Sequence, residues 1–238
     1  YETEAMAELF ADSGYEIKEF TEVADVYVIN TCSVTNMGDR KSRQIIRRAK
    51  KLNPNAVIAV TGCYAQTAPD EVLAIEGVNL VLGTKDRKNI VTLVEELNTE
   101  SNINHVSDIM SNHEFEELQI KQYSNRTRAF IKIQEGCNQF CSYCIIPYAR
   151  GPVRSRAKDD VVREIKELAH NGFKEIILVG IHVASYGVDL GDTTLESLIM
   201  DVDKIDGVER IRLSSIEPMT LNQEFIDSIK DSKKLCHH

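Results

Sequence analysis

Three thiols stand close together at Cys137, Cys141 and Cys144, separated by three and then two residues. Thiolates are soft ligands, so the spacing first raises the question of which metal it suits. A structural zinc site takes four protein ligands and usually shows two separated CxxC pairs. No fourth cysteine lies near this run in the sequence. A 4Fe–4S cluster can be held through three of its irons, leaving the fourth open to a small molecule. The spacing therefore points to a reactive cluster rather than to zinc or to inert thiols. The preceding residues agree. Arg128 to Glu135 alternates like a strand over most of its length, and Gly136 breaks it before the cysteines begin. A cluster at the C-terminal end of a barrel strand lies where barrel enzymes keep their active sites.

Other chemistry-bearing residues sit at the ends of apolar runs. Cys32 follows a run from Val28, and Cys63 follows one from Ala56. Cysteines ending two parallel strands can meet at one rim of an open sheet, where such sheets bind ligands. They can equally be two buried apolar thiols. Gly180, His182, Ser185 and Tyr186 follow a later apolar run, and Ser214, Ser215 and Glu217 follow another. Polar groups at strand ends suit a barrel active site, or they cap loops. Two basic groups complete the set. Arg40, Lys41, Arg43, Arg47, Arg48, Lys50 and Lys51 fall in one stretch without an acid, opposite Ile45, Ile46, Ala49 and Leu52. That pattern is an amphipathic helix with a basic face. Arg150, Arg154, Arg156 and Lys158 follow the cysteine run. Either group can be a solvated face or a set of ion pairs, or it can contact phosphate.

The elements that must position these residues alternate along the chain. Helices are expected near 2–13, 37–52, 67–75 and 86–97, with strands near 15–20, 25–31, 56–61 and 79–82. Gly14, Gly62, Gly77 and Gly83 punctuate them. Short apolar strands alternating with helices predict α/β architecture, a doubly wound parallel sheet. Residues 99–125, rich in Asn, Ser, Glu and His, read as a linker with room for an edge strand; His105 and His113 there read as solvated. Longer units follow: strands at 128–135, 174–181 and 208–215, and helices at 158–170, near 194–204 and from about 221. These are the first three units of a βα barrel. The expected organisation is an N-terminal domain at 1–108, a linker at 109–126 and an incomplete barrel domain at 127–238.

The CxxxCxxC run, with Tyr143 just before its last cysteine, resembles the radical S-adenosylmethionine superfamily. The longer string from Gly136 to Arg156 is similar to the methylthiotransferases, which insert a sulfur-methyl group at an unreactive carbon. The resemblance implies that S-adenosylmethionine binds the open iron and is cleaved by electron transfer to methionine and a 5′-deoxyadenosyl radical. It implies that Cys32 and Cys63 carry a second, auxiliary 4Fe–4S cluster, whose third ligand would precede Tyr1. That cluster would present a sulfide, methylated by a second S-adenosylmethionine, for transfer. Tyr143, Gly180, His182, Ser215 and Glu217 would serve S-adenosylmethionine and substrate.

The Gly-Ile-His form around His182 and the Ser-Ser-Ile-Glu-Pro form around Glu217 look like the branch that acts on N6-threonylcarbamoyladenosine in tRNA. The branches for isopentenyladenosine and for a ribosomal-protein aspartate are the alternatives. An iron–sulfur electron carrier or sensor without transferase activity is the alternative of another class. The implied partners are a tRNA anticodon loop, whose base must be splayed out, and a cellular reductant such as flavodoxin or ferredoxin. Arg43, Arg47, Arg48, Arg154 and Arg156 are the candidates for RNA contact. Members also add a small C-terminal RNA-binding β domain. Cys236-His237-His238 is expected to lead into a further barrel strand, so the chain reads as a fragment, inactive by itself.

Composition is compatible. The chain has 238 residues, 42 % hydrophobic, enough for one or two cores. No apolar run approaches a membrane helix in length. Six cysteines at cluster spacing suit a reducing cytoplasm better than a disulfide framework. A net charge of −9 argues mildly against nucleic acid as a partner, although RNA binding by a separate domain would account for it. The expected state is a monomer.

Overall fold

The computed structural model describes residues 1–33, 35–97, 101–118, 128–214, 216–217 and 222–237. The first half contains α1 (Glu2–Asp12), β1 (Val26–Thr31), α2 (Asn36–Leu52), β2 (Val57–Gly62), α3 (Cys63–Thr67), α4 (Pro69–Leu73), β3 (Leu80–Leu82), α5 (Ile90–Glu95) and β4 (Ile103–His105). The four strands form one parallel sheet in the order β1-β2-β3-β4, and Thr31 lies in register with Gly62. Alternate residues of a strand face opposite sides. Ile58 and Val60 pack with Ile46, Ala49 and Val72, whereas Ala59 between them packs with Met6, Phe10, Ile90 and Val94. Helices therefore cover both faces, which is why the strands read as continuous apolar runs. The sequence at α2 explains its start: Thr35 accepts a hydrogen bond from the Gly38 N–H at 3.2 Å, a side-chain N-cap.

The second half contains β5 (Arg128–Lys132), β6 (Gln134–Glu135), α6 (Ile146–Arg150), β7 (Arg154–Ser155), α7 (Lys158–His170), β8 (Glu175–Val179), α8 (Leu195–Asp203), β9 (Arg210–Leu213) and α9 (Gln223–Ile229). β5, β8 and β9 are parallel neighbours, with Phe130, Ile177 and Arg212 in one row. Leu235 adds a single parallel bridge to Ile211 beside β9. The core on this sheet joins Ala129, Ile131, Ile176 and Leu178 to Val161, Ile165, Leu198 and Val202 of α7 and α8. The expected α/β architecture with parallel sheets is what the molecule has.

Three local expectations fail. No strand forms at 15–20. Tyr15 meets the Phe10 ring at 5.1 Å and Phe20 meets Tyr27 at 5.7 Å, while Ile17 is 54 % exposed. Aromatic anchors at both ends make the segment a strap across the helices and not a ladder. The expected helix at 67–75 is two helices, because Pro69 opens α4 and the residue before a proline is pushed out of helical geometry. The helix expected from residue 86 starts as a 3-10 turn, Arg87–Asn89, and becomes α-helical only at Ile90. The short pair β6–β7 and the single turn of α6 have too few residues to leave a periodic signal.

Candidate active site

The cysteine loop is closed at its base by backbone geometry. β6 and β7 pair antiparallel, with Gln134 opposite Ser155 and Glu135 opposite Arg154. Gly136 has φ 76°, and a β carbon there would lie 1.8 Å from the Pro152 carbonyl oxygen, so only glycine fits. The Cys137 N–H then donates to the Gly151 carbonyl at 3.0 Å. The loop between these points carries Cys137 and Cys144 half-buried and Cys141 exposed, all as free thiols. Tyr143 is 91 % exposed, and Phe140 sits at φ 47°, a left-handed conformation unusual for its type.

Two of the other expected residues adjoin this base. Gln134 Oε1 accepts from the His182 N–H at 2.8 Å, and its Nε2 donates to the carbonyls of Glu135 and Gly136. A β carbon at Gly180 would come within 2.9 Å of Gln134 Oε1, so glycine permits this approach. His182 is buried; its Nδ1 lies 2.6 Å from Ser185 Oγ, and its Nε2 has no hydrogen-bond partner. The Gly187 N–H donates to Ser155 Oγ at 2.8 Å, and the Tyr186 hydroxyl to the Arg156 carbonyl at 2.9 Å. These bonds hold the loop after β8 against the hairpin. Glu217 is exposed beyond β9, and Ser215 lies outside the described residues.

The second thiol pair follows directly from strand register. Thr31 and Gly62 are partners on adjacent parallel strands, so Cys32 and Cys63 leave the sheet side by side at one edge. Cys63 is buried at the start of α3 and Cys32 is exposed. Gly62 allows the strands to close, since a β carbon there would be 2.4 Å from the Thr31 carbonyl oxygen. A β carbon on Gly38 would be 2.7 Å from the Cys32 carbonyl, so the first turn of α2 also packs on this edge.

The thiols suit iron–sulfur ligation in kind: soft donors, unpaired with one another, at the C-terminal ends of parallel strands. Among the described residues no three His, Cys, Asp or Glu side chains stand close enough to hold a metal ion. A cluster would have to close the 137–144 loop around itself.

The basic groups divide sharply. Arg154 and Arg156, expected to reach phosphate, are each 1 % exposed. Arg156 pairs with Glu117 and Glu164, and Arg154 lies 3.5 Å from Glu135. Burial with acidic partners withdraws both from any RNA. On α2, Arg43 donates to the Tyr64 hydroxyl at 2.8 Å and lies over its ring, while Arg47 and Arg48 are exposed, the latter over Phe20. That face stays open to solvent.

A group of charges that the sequence did not announce lies where the two halves meet. Arg87, fully buried, pairs with Glu2 at 2.7 Å, Glu116 at 2.8 Å and Glu135 at 3.5 Å. Its contact with Glu2 is an ion pair without an aligned hydrogen bond. Lys132 joins Glu2 and Glu135 at 3.0 and 2.9 Å, and Arg150 joins the same two carboxylates. Burial alone would push the Glu135 carboxyl up; Lys132, Arg87 and Arg150 overcome it and hold it down at about 2. Glu2 is held well below the usual carboxylate range despite its burial, chiefly by Arg87. No sequence signal marks this set, because its members are separated by up to 148 positions.

The same halves appear in comparisons with known proteins. Residues 1–83 match the Uncharacterized protein family UPF0004, and residues 131–237 match the Radical SAM superfamily. A match to the latter implies a 4Fe–4S cluster and S-adenosylmethionine. The chain is 50 % identical over 240 residues to the Threonylcarbamoyladenosine tRNA methylthiotransferase MtaB of Bacillus subtilis (strain 168), covering all of itself and 53 % of that protein. It is 41 % identical to the MtaB of Aquifex aeolicus (strain VF5), covering 58 % of it. It is 37 % identical to the tRNA-2-methylthio-N(6)-dimethylallyladenosine synthase of Thermoanaerobacter pseudethanolicus, covering 52 %. The chain spans about half the length of the curated relatives it matches. Among solved structures, the radical S-adenosylmethionine methyltransferase TsrM from Kitasatospora setae, with cobalamin and a 4Fe–4S cluster bound, shares the fold. The TM-score is 0.64 at 15 % identity, over 99 % of this chain and 54 % of that one. The chain thus joins a UPF0004 match to a radical SAM match, and along its whole length it is similar to the MtaB methylthiotransferases, at 50 % identity to that of Bacillus subtilis.

Proposed function

We propose that the protein to which this chain belongs adds a methylthio group to C2 of N6-threonylcarbamoyladenosine next to the tRNA anticodon. The observation that carries this reading is the pairing of two thiol sites: three cysteines on a loop at the end of one parallel sheet and two at the edge of another. Similarity along the whole of this chain to proteins named for that activity supports it, at 50 % and 41 % identity. In this reading Cys137, Cys141 and Cys144 hold the reactive cluster, and Cys32 and Cys63 hold an auxiliary one. Bound there, a 4Fe–4S cluster with S-adenosylmethionine supplies a one-electron cleavage that yields a 5′-deoxyadenosyl radical. The residues of this chain do the positioning. Gly180 leaves room beside the loop base, and His182 keeps a buried, unpartnered Nε2 that a ligand could use, its ring held by Ser185. Tyr143 offers an open aromatic face to a ligand. The domain boundaries at 108 and 127 belong to the same proposal, as do a flavodoxin- or ferredoxin-like reductant, a cytoplasmic location and a monomeric state. No helix among the described residues is long and apolar enough to cross a membrane.

Nucleoside mass spectrometry tests the substrate. Cells lacking the full-length protein should lose the methylthio form of N6-threonylcarbamoyladenosine and regain it on complementation. Loss of methylthio-isopentenyladenosine instead would move the assignment to that branch, the name borne by relatives 37 % identical.

The exposed face of α2 would meet tRNA phosphate. Reversing Arg43, Arg47 and Arg48 to Glu in the full-length protein should weaken tRNA binding. The slope of log affinity against log salt should also fall, by about one unit for each phosphate no longer neutralised. Cleavage of S-adenosylmethionine without RNA should not change. Unaltered affinity and slope would make the face a solvated one.

A further inference from the structure

Arg150 stands between the two thiol sites. It is the last residue of α6, the helix that begins two residues after Cys144, and it is nearly buried. Its Nε donates to Cys63 Sγ at 3.2 Å. Its Nη1 donates to Glu2 of α1 and, at 2.6 Å, to Glu135 of β6. The preceding residue is fixed as well, because Thr84 Oγ1 donates to the Ala149 carbonyl at 2.8 Å. One side chain thus touches a thiol at the edge of the first sheet, a carboxylate from the first helix and a carboxylate two residues before Cys137.

The local charges give this contact a direction. Arg87, Lys132, Arg150 and Arg154 face the carboxylates of Glu2, Glu116 and Glu135. Buried charges call for partners, and Arg150 has two in Glu2 and Glu135. The sulfur of Cys63 is the remaining acceptor that Arg150 touches. A metal-bound thiolate there would accept the same hydrogen bond, in the way that outer hydrogen bonds orient metal ligands.

We propose that Arg150 is a positioning residue that locks Cys63, and with it the auxiliary site, in fixed register with the 137–144 loop. The proposal rests on the two-site methylthiotransferase reading. A sulfur-methyl group presented at one site must reach a carbon activated at the other, and a displacement of about 1 Å can cost on the order of a hundredfold in rate. A guanidinium can reach a sulfur through Nε and carboxylates through Nη1 at once. The single ammonium of lysine cannot reproduce that fork.

The test uses the full-length protein. In a background carrying Cys137→Ala, Cys141→Ala and Cys144→Ala, only the auxiliary site can hold a cluster. There, Arg150→Gln should retain iron but shift the reduction potential to a more negative value, because an N–H···S bond and a positive charge are removed. Arg150→Lys should shift it less. With all cysteines present, both variants should form on the order of ten or more molecules of 5′-deoxyadenosine for each one formed per modified nucleoside by the parent. A purely structural role would lower the two products together and leave their ratio alone. An unchanged potential or an unchanged ratio overturns the proposal. If the triple-alanine background itself binds no iron with Arg150 intact, the two-site reading fails instead, and the two failures are told apart.

Discussion

Alanine at any one of Cys137, Cys141 and Cys144 should leave the full-length protein unable to cleave S-adenosylmethionine. Each thiolate is assigned one iron of a cubane whose fourth iron is kept for the small molecule, so no spare protein ligand can replace a missing one. The structure sharpens the expectation. The loop is pinned at Gly136 and at the bond from the Cys137 N–H to Gly151, which limits how far another donor could be brought in. Cys236 serves as the internal control. Its N–H donates to the Ile211 carbonyl at 2.9 Å beside β9, away from the 137–144 loop in the sequence. After anaerobic reconstitution, iron content and cluster absorbance should survive Cys236→Ala at the parent level. Addition of S-adenosylmethionine and dithionite should yield 5′-deoxyadenosine from that variant and none above background from the other three. Iron lost with Cys236 and kept without Cys141 would defeat the assignment. A reducible cluster in the parent that yields no 5′-deoxyadenosine would favour an electron carrier.

What was legible in the sequence follows a physical division. Cys137, Cys141 and Cys144 could be read because ligands within one loop have a spacing set by the chain itself. Cys32 and Cys63 were legible only as strand ends, and it is the parallel register of Thr31 with Gly62 that makes them neighbours. The pattern of apolar residues exposed β1, β2, β5 and β8, since buried parallel strands read as apolar runs. It misled at Tyr15 to Phe20, where aromatic contacts to Phe10 and Tyr27 replace a ladder. Charge was the least legible property. Arg154 and Arg156 looked like Arg47 and Arg48 in the sequence, yet the first two are buried in ion pairs. A basic residue takes its meaning from which acids the fold brings to it, and Glu2, Glu116 and Glu135 come from three distant segments.

Those acids carry the second large effect, expected at Arg87→Met. Arg87 is fully buried and touches all three carboxylates. Removing one member of a buried ion set strands its partners and typically costs about 3–5 kcal/mol. For a domain of this size, such a loss lowers the thermal midpoint by roughly 10 °C. The exposed pair Lys174–Glu209, at 2.6 Å with side chains 61 % and 50 % accessible, gives the contrast. Lys174→Met should leave the thermal midpoint close to the parent's, because water screens the pair. Adding Glu116→Gln to Arg87→Met should recover part of the loss, since the double variant buries one fewer unpaired charge. Acid gives an independent reading. Glu2 and Glu135 are depressed carboxyls, so their contribution is complete above the ordinary value of 4.5 and is lost as pH falls through that range toward about 2. Without Arg87 the depression is smaller, so stability should fall less steeply with acid across that window. A thermal midpoint for Arg87→Met equal to that of Lys174→Met, with parallel acid profiles, would show that the junction charges do not hold the two halves together.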